Sequence, residues 1–296
     1  MLPRLLLIST KDAINVPIAR EAHISVSTVI RWFDQVPLTF QPATLPEVLS
    51  IDEFRGNTWG QRYQVAINNP KTHEVLDIIS KKDTTVLTQY FMKFSRKVRN
   101  KVRFVVMDLC PQFRKVVRDV FPNAQIIGDR FHILRLVIWA MERVRKEIQT
   151  ELKKKRIPLK RNKHLLNKRG MKLTQEEALR LRDILKESSE LQRAYGLKES
   201  FLKVLAMEEP ESVREFLSKW LELVKDSGVK SFNSVVDTFT KWRSEIIAGL
   251  SSPYSNGFTE GMNNKIKVLK RVGFGFVNFK RFRKRILFLQ FMRPKK

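Results

Sequence analysis

The spacing of hydrophobic residues changes from helical to strand-like near residue 48. Before that point, residues 14–22 and 27–33 predict two short helices joined by a tight turn. This pattern is typical of helix-turn-helix DNA-binding modules, and it also fits an ordinary helical hairpin. Several prolines then interrupt it, so we interpret residues 1–36 as a small DNA-binding segment and residues 37–47 as a linker.

Residues 48–150 alternate between strand and helix patterns. Runs with a two-residue period predict three strands in an antiparallel meander, and a later apolar run predicts a buried central strand. The predicted strands cover residues 49–54, 63–67, 75–79, 103–108 and 124–127. Helices are predicted at residues 84–99, 112–121 and 131–147. The order β-β-β-α-β-α-β-α predicts the first part of an α/β core.

Residues 151–250 differ from this core because they are polar and lack strand-like spacing. Amphipathic stretches predict helices at residues 175–187, 199–206 and 211–225, so we expect an all-helical insertion. Residues 251–296 return to the core with a helix near 258–271 and a basic tail. No acidic residue follows Glu260, whereas twelve lysines and arginines do.

The charge balance identifies the first class of partner to consider. Fifty-seven Lys and Arg against thirty Asp and Glu give a net charge of +27. Such a surface repels itself unless a polyanion binds to it, which favours nucleic acid first and an anionic membrane second. The 43% hydrophobic content is enough for a packed core.

Other classes are excluded by missing patterns. No apolar run approaches the roughly 18 residues of a membrane span. The single cysteine, Cys110, excludes a disulfide framework and a cysteine-based zinc site. No P-loop motif is present. A reduced, cytoplasmic protein is the simplest interpretation.

Three carboxylates in apolar or basic surroundings are candidates for metal binding. Asp52 lies in the first predicted strand, Asp108 ends the fourth, and Glu260 begins the last helix. If the two strands are neighbours, their carboxylates project side by side and suit a hard cation such as Mg²⁺ or Mn²⁺. A third carboxylate would complete a two-metal site for displacement at phosphorus. By spacing alone, ordinary strand-end and helix-start carboxylates are an equally good interpretation.

Four segments resemble the signature blocks of bacterial insertion-sequence transposases of the ISL3 type. They are residues 50–54, 107–111, 128–133 and 255–267, in the order of that family. The resemblance implies an RNase H-like α/β core with a mixed five-stranded sheet and a large all-helical insertion before the last acid. It also implies that Asp52, Asp108 and Glu260 form the catalytic DDE triad and bind two Mg²⁺ ions, for which Mn²⁺ can substitute.

The same resemblance implies a reaction and its partners. Water frees a 3′ hydroxyl at the transposon end, and that hydroxyl attacks target DNA, both steps being metal-assisted phosphoryl displacements. The expected partners are double-stranded DNA, as terminal inverted repeats and as target, and a second copy of the chain in a synaptic complex. The expected location is the bacterial nucleoid in the cytoplasm, with no membrane.

Further residues are expected to support the metal site or to contact DNA. Asp129, His132, Asn263 and Asn264 are expected near the metals, although Asp129 and His132 also fit a helix cap and a partly buried histidine. Basic side chains are expected to contact phosphates, with a solvated charged surface as the alternative. They are Arg31, Arg96, Arg99, Lys153, Lys154, Arg156, Lys267, Lys270, Arg271, Lys280, Arg281, Arg283 and Lys284.

Three other side chains are expected to be structural. Glu53 follows Asp52 and should point to the opposite face of the sheet. Trp220 and Trp242 are expected in the core of the insertion, with DNA contact as the alternative.

One departure from the family pattern leaves two other functions open. Relatives usually begin with a Cys-rich zinc-binding segment, whereas this sequence starts close to the helical pair, as a shortened reading frame would. The first alternative is an inactive transposase that represses by binding DNA. The second is an RNase H-like nuclease acting on another nucleic acid.

Overall fold

The structure is a computed structural model that describes residues 19–35, 43–154, 159–272 and 275–291. The chain divides into two compact units, which are described separately. The core unit contains the described residues up to Ile126 and those from Tyr254 onwards. The insertion unit is Ile127–Pro253. The domain limits inferred from the sequence remain predictions.

A five-stranded mixed sheet organises the core. The strands are β1 (Val48–Thr58), β2 (Gln61–Asn69), β3 (Glu74–Ile79), β4 (Phe104–Met107) and β5 (Gln125–Gly128). Their order is β3-β2-β1-β4-β5, with β1, β2 and β3 antiparallel and β1 parallel to β4. The predicted meander and the predicted apolar central strand are confirmed. Together with the helices, this arrangement confirms the α/β, RNase H-like fold class.

The helices of the core unit differ from the predicted ones at two places. They are α1 (Val26–Gln35), α2 (Thr84–Met92), α3 (Arg96–Arg99), α4 (Pro111–Val120), α12 (Gly257–Val272) and α13 (Phe279–Phe291). The single helix predicted over residues 84–99 is two helices, because Ser95 caps a new helix by accepting a hydrogen bond from the Val98 amide. The expected basic tail contains helix α13, whose apolar face includes Phe282 and Ile286.

Helices α12 and α13 cover one face of the sheet. Phe54 and Ala66 from the sheet pack in one buried cluster with Met262 and Ile266 of α12 and with Phe282 of α13. These residues follow the two-residue period of the strands and the three-to-four-residue period of the helices. Burial of this shared face therefore places α12 against β1 and β2.

The predicted helix-turn-helix segment is described in part. Residues 19–21 are helical, a turn follows, and α1 begins at Val26. Ala19, Ile24 and Val29 pack together across the turn. Residues 1–18 of this segment and residues 36–42, which include most of the predicted linker, lie outside the described residues.

Helix α1 packs on α13 within the core unit. The rings of Phe33 and Phe288 meet edge to face with centroids 5.6 Å apart. Arg281 forms an ion pair with Asp34, and Lys284 donates to the Asp34 carbonyl. The described part of the helical segment is thus anchored by its last turn.

The insertion unit is helical, as expected. Its helices are α5 (Arg130–Lys154), α6 (Lys163–Asn167), α7 (Gln175–Lys186), α8 (Ser189–Leu202), α9 (Pro210–Asp226), α10 (Asn233–Lys241) and α11 (Arg243–Ser251), with short 3₁₀ turns between them. Trp220 is buried against Phe201 and Phe239, and its indole N–H donates to the Leu197 carbonyl at 3.0 Å. Trp242 is also buried, so both tryptophans are core residues as predicted.

None of the helices within the described ranges combines the length and the apolar character needed to cross a bilayer.

Candidate active site

Asp52 and Asp108 occupy neighbouring positions on two paired strands. Ile51 of β1 is the register partner of Met107 of β4, and each aspartate is the next residue along its chain. Adjacent strands lie about 4.8 Å apart, and residues in parallel register project to the same face. Asp52 is only 7% exposed, and Asp108 is half-buried. The condition set for the two aspartates, that the first and fourth strands are neighbours, is therefore met.

A buried polar cluster attaches the start of α12 to this part of the sheet. The Ser50 hydroxyl donates to Asn256 Oδ1 at 2.6 Å and lies 3.0 Å from the Thr259 hydroxyl. The Asn68 side-chain amide donates to the same Thr259 oxygen at 3.0 Å. Ser50 and Asn68 are register partners on β1 and β2. These four residues form a buried quartet that attaches the first turn of α12 to the sheet. Its member Thr259 directly precedes Glu260.

One turn further along, α12 contacts Asp52 directly. Asn263 Nδ2 donates to Asp52 Oδ2 at 2.8 Å, and the Glu53 backbone amide donates to Asp52 Oδ1 at 2.8 Å. Asn263 Oδ1 is buried without a hydrogen-bond partner among the described residues. Glu260 precedes Asn263 by three residues, and its side chain is exposed. The structure therefore brings the backbone elements of all three predicted ligands together.

Glu53 points to the opposite face of the sheet, as predicted, where it forms an ion pair with Lys82. Burial alone lowers the pKa of Lys82, but interactions with Glu53 and Cys110 together outweigh this effect and raise the pKa above its ordinary value. Glu53 thus serves as the partner of a lysine on the face away from α12.

The predicted supporting residues are found in both units. Asn263 contacts Asp52, whereas Asn264 is exposed and accepts a hydrogen bond from Lys267. Asp129 and His132 belong to the insertion unit, where Asp129 Oδ2 lies 2.6 Å from His132 Nδ1. Their role beside the metals remains a prediction.

The predicted DNA-binding side chains have different surroundings. Lys267, Arg271 and Lys280 are exposed. Arg31 is exposed on α1 and donates to Thr28, and Arg96 is exposed at the start of α3. The side chains of Lys153 and Lys154, and the whole of Arg156, lie outside the described residues.

Other members of that predicted set form bonds within the core unit. Lys270 donates to the Arg55 carbonyl, and Arg99 donates to the Phe94 and Val120 carbonyls. Arg283 forms an ion pair with the buried Asp77, with 2.6 Å between Arg283 Nε and Asp77 Oδ1. Arg281 and Lys284 hold α1 as described above. These side chains support the fold, and their contact with DNA remains a prediction.

The quartet residues Ser50, Asn68, Asn256 and Thr259 were not identified from the sequence as parts of the site. One signal was present, because Ser50 is a polar residue between the apolar Leu49 and Ile51, two positions before Asp52 on the same strand. A polar residue at a buried strand position requires a hydrogen-bond partner. That partner lies more than 200 residues away, at positions that local spacing does not reveal.

A family model for ISL3 transposases, with the description "Transposase", matches residues 49–286. The chain therefore belongs to the ISL3 family of transposases.

Relatives that match about two thirds of the chain or more include two named as insertion-sequence transposases. The transposase for insertion sequence element IS1001 of Bordetella parapertussis is 25% identical over 237 residues, covering 78% of this chain and 57% of the relative. The transposase for IS1557 of Mycobacterium tuberculosis is 27% identical over 221 residues, covering 66% and 49%. The chain thus spans about half the length of these relatives.

Among solved structures, the Drosophila P element transposase strand transfer complex is similar with a TM-score of 0.48 and 12% identity. That similarity covers 91% of this chain and 85% of the other.

Proposed function

We propose that this chain is a DNA transposase in which Asp52, Asp108 and Glu260 are the catalytic ligands of two divalent metal ions. One observation carries the proposal. The hydrogen bond from Asn263 to Asp52 attaches the helix of Glu260 to the strand that is paired in register with the strand of Asp108. The three acids named by the family pattern therefore belong to one local assembly of β1, β4 and α12.

The donor atoms of this assembly fit Mg²⁺ or Mn²⁺. Carboxylate and amide oxygens are hard ligands, and no sulfur ligand is required. The buried Asn263 Oδ1, which lacks a hydrogen-bond partner among the described residues, adds another hard oxygen beside Asp52. When bound, the two ions would activate the attacking oxygen and stabilise the leaving oxygen of an in-line displacement at phosphorus.

The protein's own residues position these ligands. Asn263 donates to one Asp52 oxygen and the Glu53 amide donates to the other, so the carboxylate is oriented from two sides. The quartet fixes the first turn of α12, leaving the Glu260 side chain exposed where a substrate can approach. Lys267 and Arg271, exposed on the same helix, supply positive charge for a phosphodiester backbone.

DNA is the substrate that the charge and the family favour. A net charge of +27 provides non-specific attraction to phosphates, which is strongly salt-dependent. We propose cleavage at transposon ends followed by strand transfer into target DNA. Pairing of two ends in a synaptic complex by two copies of the chain is part of this proposal.

The test is cleavage of duplex DNA that carries the sequences flanking the protein's own gene. The intact chain should cut this DNA with Mg²⁺ and not with EDTA, and Glu260→Gln should abolish cutting while retaining DNA binding. Glu222→Gln, a change at an exposed acid of the insertion unit, should leave cutting unchanged. DNA binding without cutting would support a repressor instead. Faster cutting of an RNA–DNA hybrid would support a nuclease of another class.

A further inference from the structure

Two large aromatic side chains and an arginine form a ladder on the outer surface of helix α5 in the insertion unit. Phe131, Arg135 and Trp139 are spaced four residues apart, which places them on one side of the helix. Phe131 and Trp139 are each 49% exposed. The guanidinium carbon of Arg135 lies 5.5 Å from the Phe131 ring centroid and 4.6 Å from the Trp139 ring centroid.

The rings of this ladder lie outside the buried core of the insertion unit. The buried side of α5 is formed by other residues, among them Ile133, Val137 and Met141, each at most 1% exposed. The glutamate nearest in sequence, Glu142, is almost buried and is held by Arg145 and Lys163. Exposed aromatic rings that the core does not use are typical of a binding surface.

The chemistry of the ladder selects its ligand. Aromatic rings stack on nucleobases whatever their sequence, and an arginine between them can contact a phosphate or stack on a base itself. Bases inside a duplex have no free face. A chain with a net charge of +27 attracts a polyanion and repels basic partners.

We propose that Phe131, Arg135 and Trp139 form a stacking platform for unpaired bases of a DNA strand. The proposal rests on DNA as the substrate and extends the proposed function to strands that become unpaired at a cut or melted end. Eight residues of helix span about 12 Å, which corresponds to three or four stacked nucleotides at 3.4 Å each.

The test compares single-stranded with duplex DNA in EDTA, where no cutting occurs, so its result is independent of catalysis. Fluorescence anisotropy of a labelled 12-nucleotide strand and of its duplex would be measured with the intact chain. Phe131→Ala and Trp139→Ala should each weaken binding of the single strand about 5- to 100-fold and change duplex binding less than twofold. Trp139→Phe, which keeps a ring, should restore most of the affinity.

The matched control is Trp59→Ala. Trp59 is 50% exposed, close to the 49% of Trp139, but it lies in the core unit against Phe279. The Trp59→Ala change should leave binding of the single strand unchanged. Arg135→Lys, which keeps the charge and removes the planar group, should weaken single-strand binding and leave duplex binding intact.

Three results would overturn the proposal. They are unchanged single-strand affinity in Trp139→Ala, an equal loss on single strand and duplex, and an equal loss in Trp59→Ala. A second copy of the chain could occupy the same surface instead of DNA. Sedimentation of the same variants distinguishes these two ligands. Loss of self-association in Trp139→Ala with unchanged single-strand binding would assign the ladder to that contact.

Discussion

Asn263 donates a hydrogen bond of 2.8 Å to Asp52, joining residues that are 211 positions apart in the sequence. Asp52 lies on the strand that begins the core, and Asn263 lies on the helix that returns to the core after the insertion. Because Glu260 is about one turn earlier on that helix, this bond attaches the first predicted acid to the helix that carries the last one.

Loss of this hydrogen bond should weaken metal-dependent cleavage. In Asn263→Ala we expect a loss of about 10- to 100-fold, because residues that orient metal ligands typically have effects of this size. The Mg²⁺ concentration for half-maximal cleavage should rise. Asn264→Ala is the matched control. Asn264 is exposed on the same helix, and the hydrogen bond described for its side chain is the one that it accepts from Lys267. An equal effect of both changes would contradict the assignment.

The quartet should contribute to stability as well as to placement of the helix. Thr259→Val keeps the shape of the side chain but removes the oxygen that accepts from Asn68. We expect a decrease in the free energy of unfolding of about 1–3 kcal/mol, measured by urea denaturation, because buried polar groups lose their partner. Thr259→Ser should recover most of this loss. If valine is as stable as threonine, the hydrogen bonds of the quartet are not stabilising.

Substitutions at Arg283 and at Lys280 should have different effects, the first on stability and the second on DNA binding. Arg283→Met leaves the buried Asp77 without its guanidinium partner, and we expect a destabilisation of about 2–3 kcal/mol, below the usual range for buried pairs because Arg283 is partly exposed. Lys280→Ala should leave stability unchanged and reduce the salt dependence of DNA binding by about one phosphate contact. Urea denaturation and binding titrations at several salt concentrations check both. A stable Arg283→Met variant together with a destabilised Lys280→Ala variant would contradict this account.

Two helical glycines of the insertion unit should respond oppositely to alanine. A Cβ at Gly249 would lie 2.1 Å from the Gly128 carbonyl oxygen, so Gly249→Ala must displace backbone and should cost about 1–3 kcal/mol. A Cβ at Gly196 meets no atom within 4 Å, so Gly196→Ala should stabilise helix α8 by about 0.5–1 kcal/mol. Thermal or urea unfolding of both variants checks the difference. Similar effects would show that Gly249 and Gly128 do not pack as described.

The sheet could be predicted because its signals are local. The two-residue period of β1 and β2 and the apolar run of β4 identify strands from neighbouring residues alone. The pairing of β1 with β4 is not local, and only the family resemblance implied the mixed five-stranded sheet. The pattern over residues 84–99 predicts one continuous helix because neighbouring residues do not distinguish Ser95 inside a helix from Ser95 as a cap, which is its position in the structure.

The details of the site could not be predicted because its contacts are non-local. The family resemblance assigned Asp52, Asp108 and Glu260, which spacing alone had only made candidates. Neither predicted the contact of Asn263 with Asp52 or the partners of Ser50. Charge alone also did not distinguish exposed Lys280 from Arg283, since the ion pair with Asp77 depends on the packing of α13 against β3.

The most direct test of the central claim is calorimetric titration of Mn²⁺ into the intact chain with duplex DNA present. Asp52→Asn and Asp108→Asn should each weaken metal binding, Glu260→Gln should weaken it with DNA bound, and Asp119→Asn, at an exposed acid paired with Lys115, should bind like the unchanged chain. Binding that is equal in all four variants, or absent from the unchanged chain, would contradict a shared metal site of Asp52, Asp108 and Glu260.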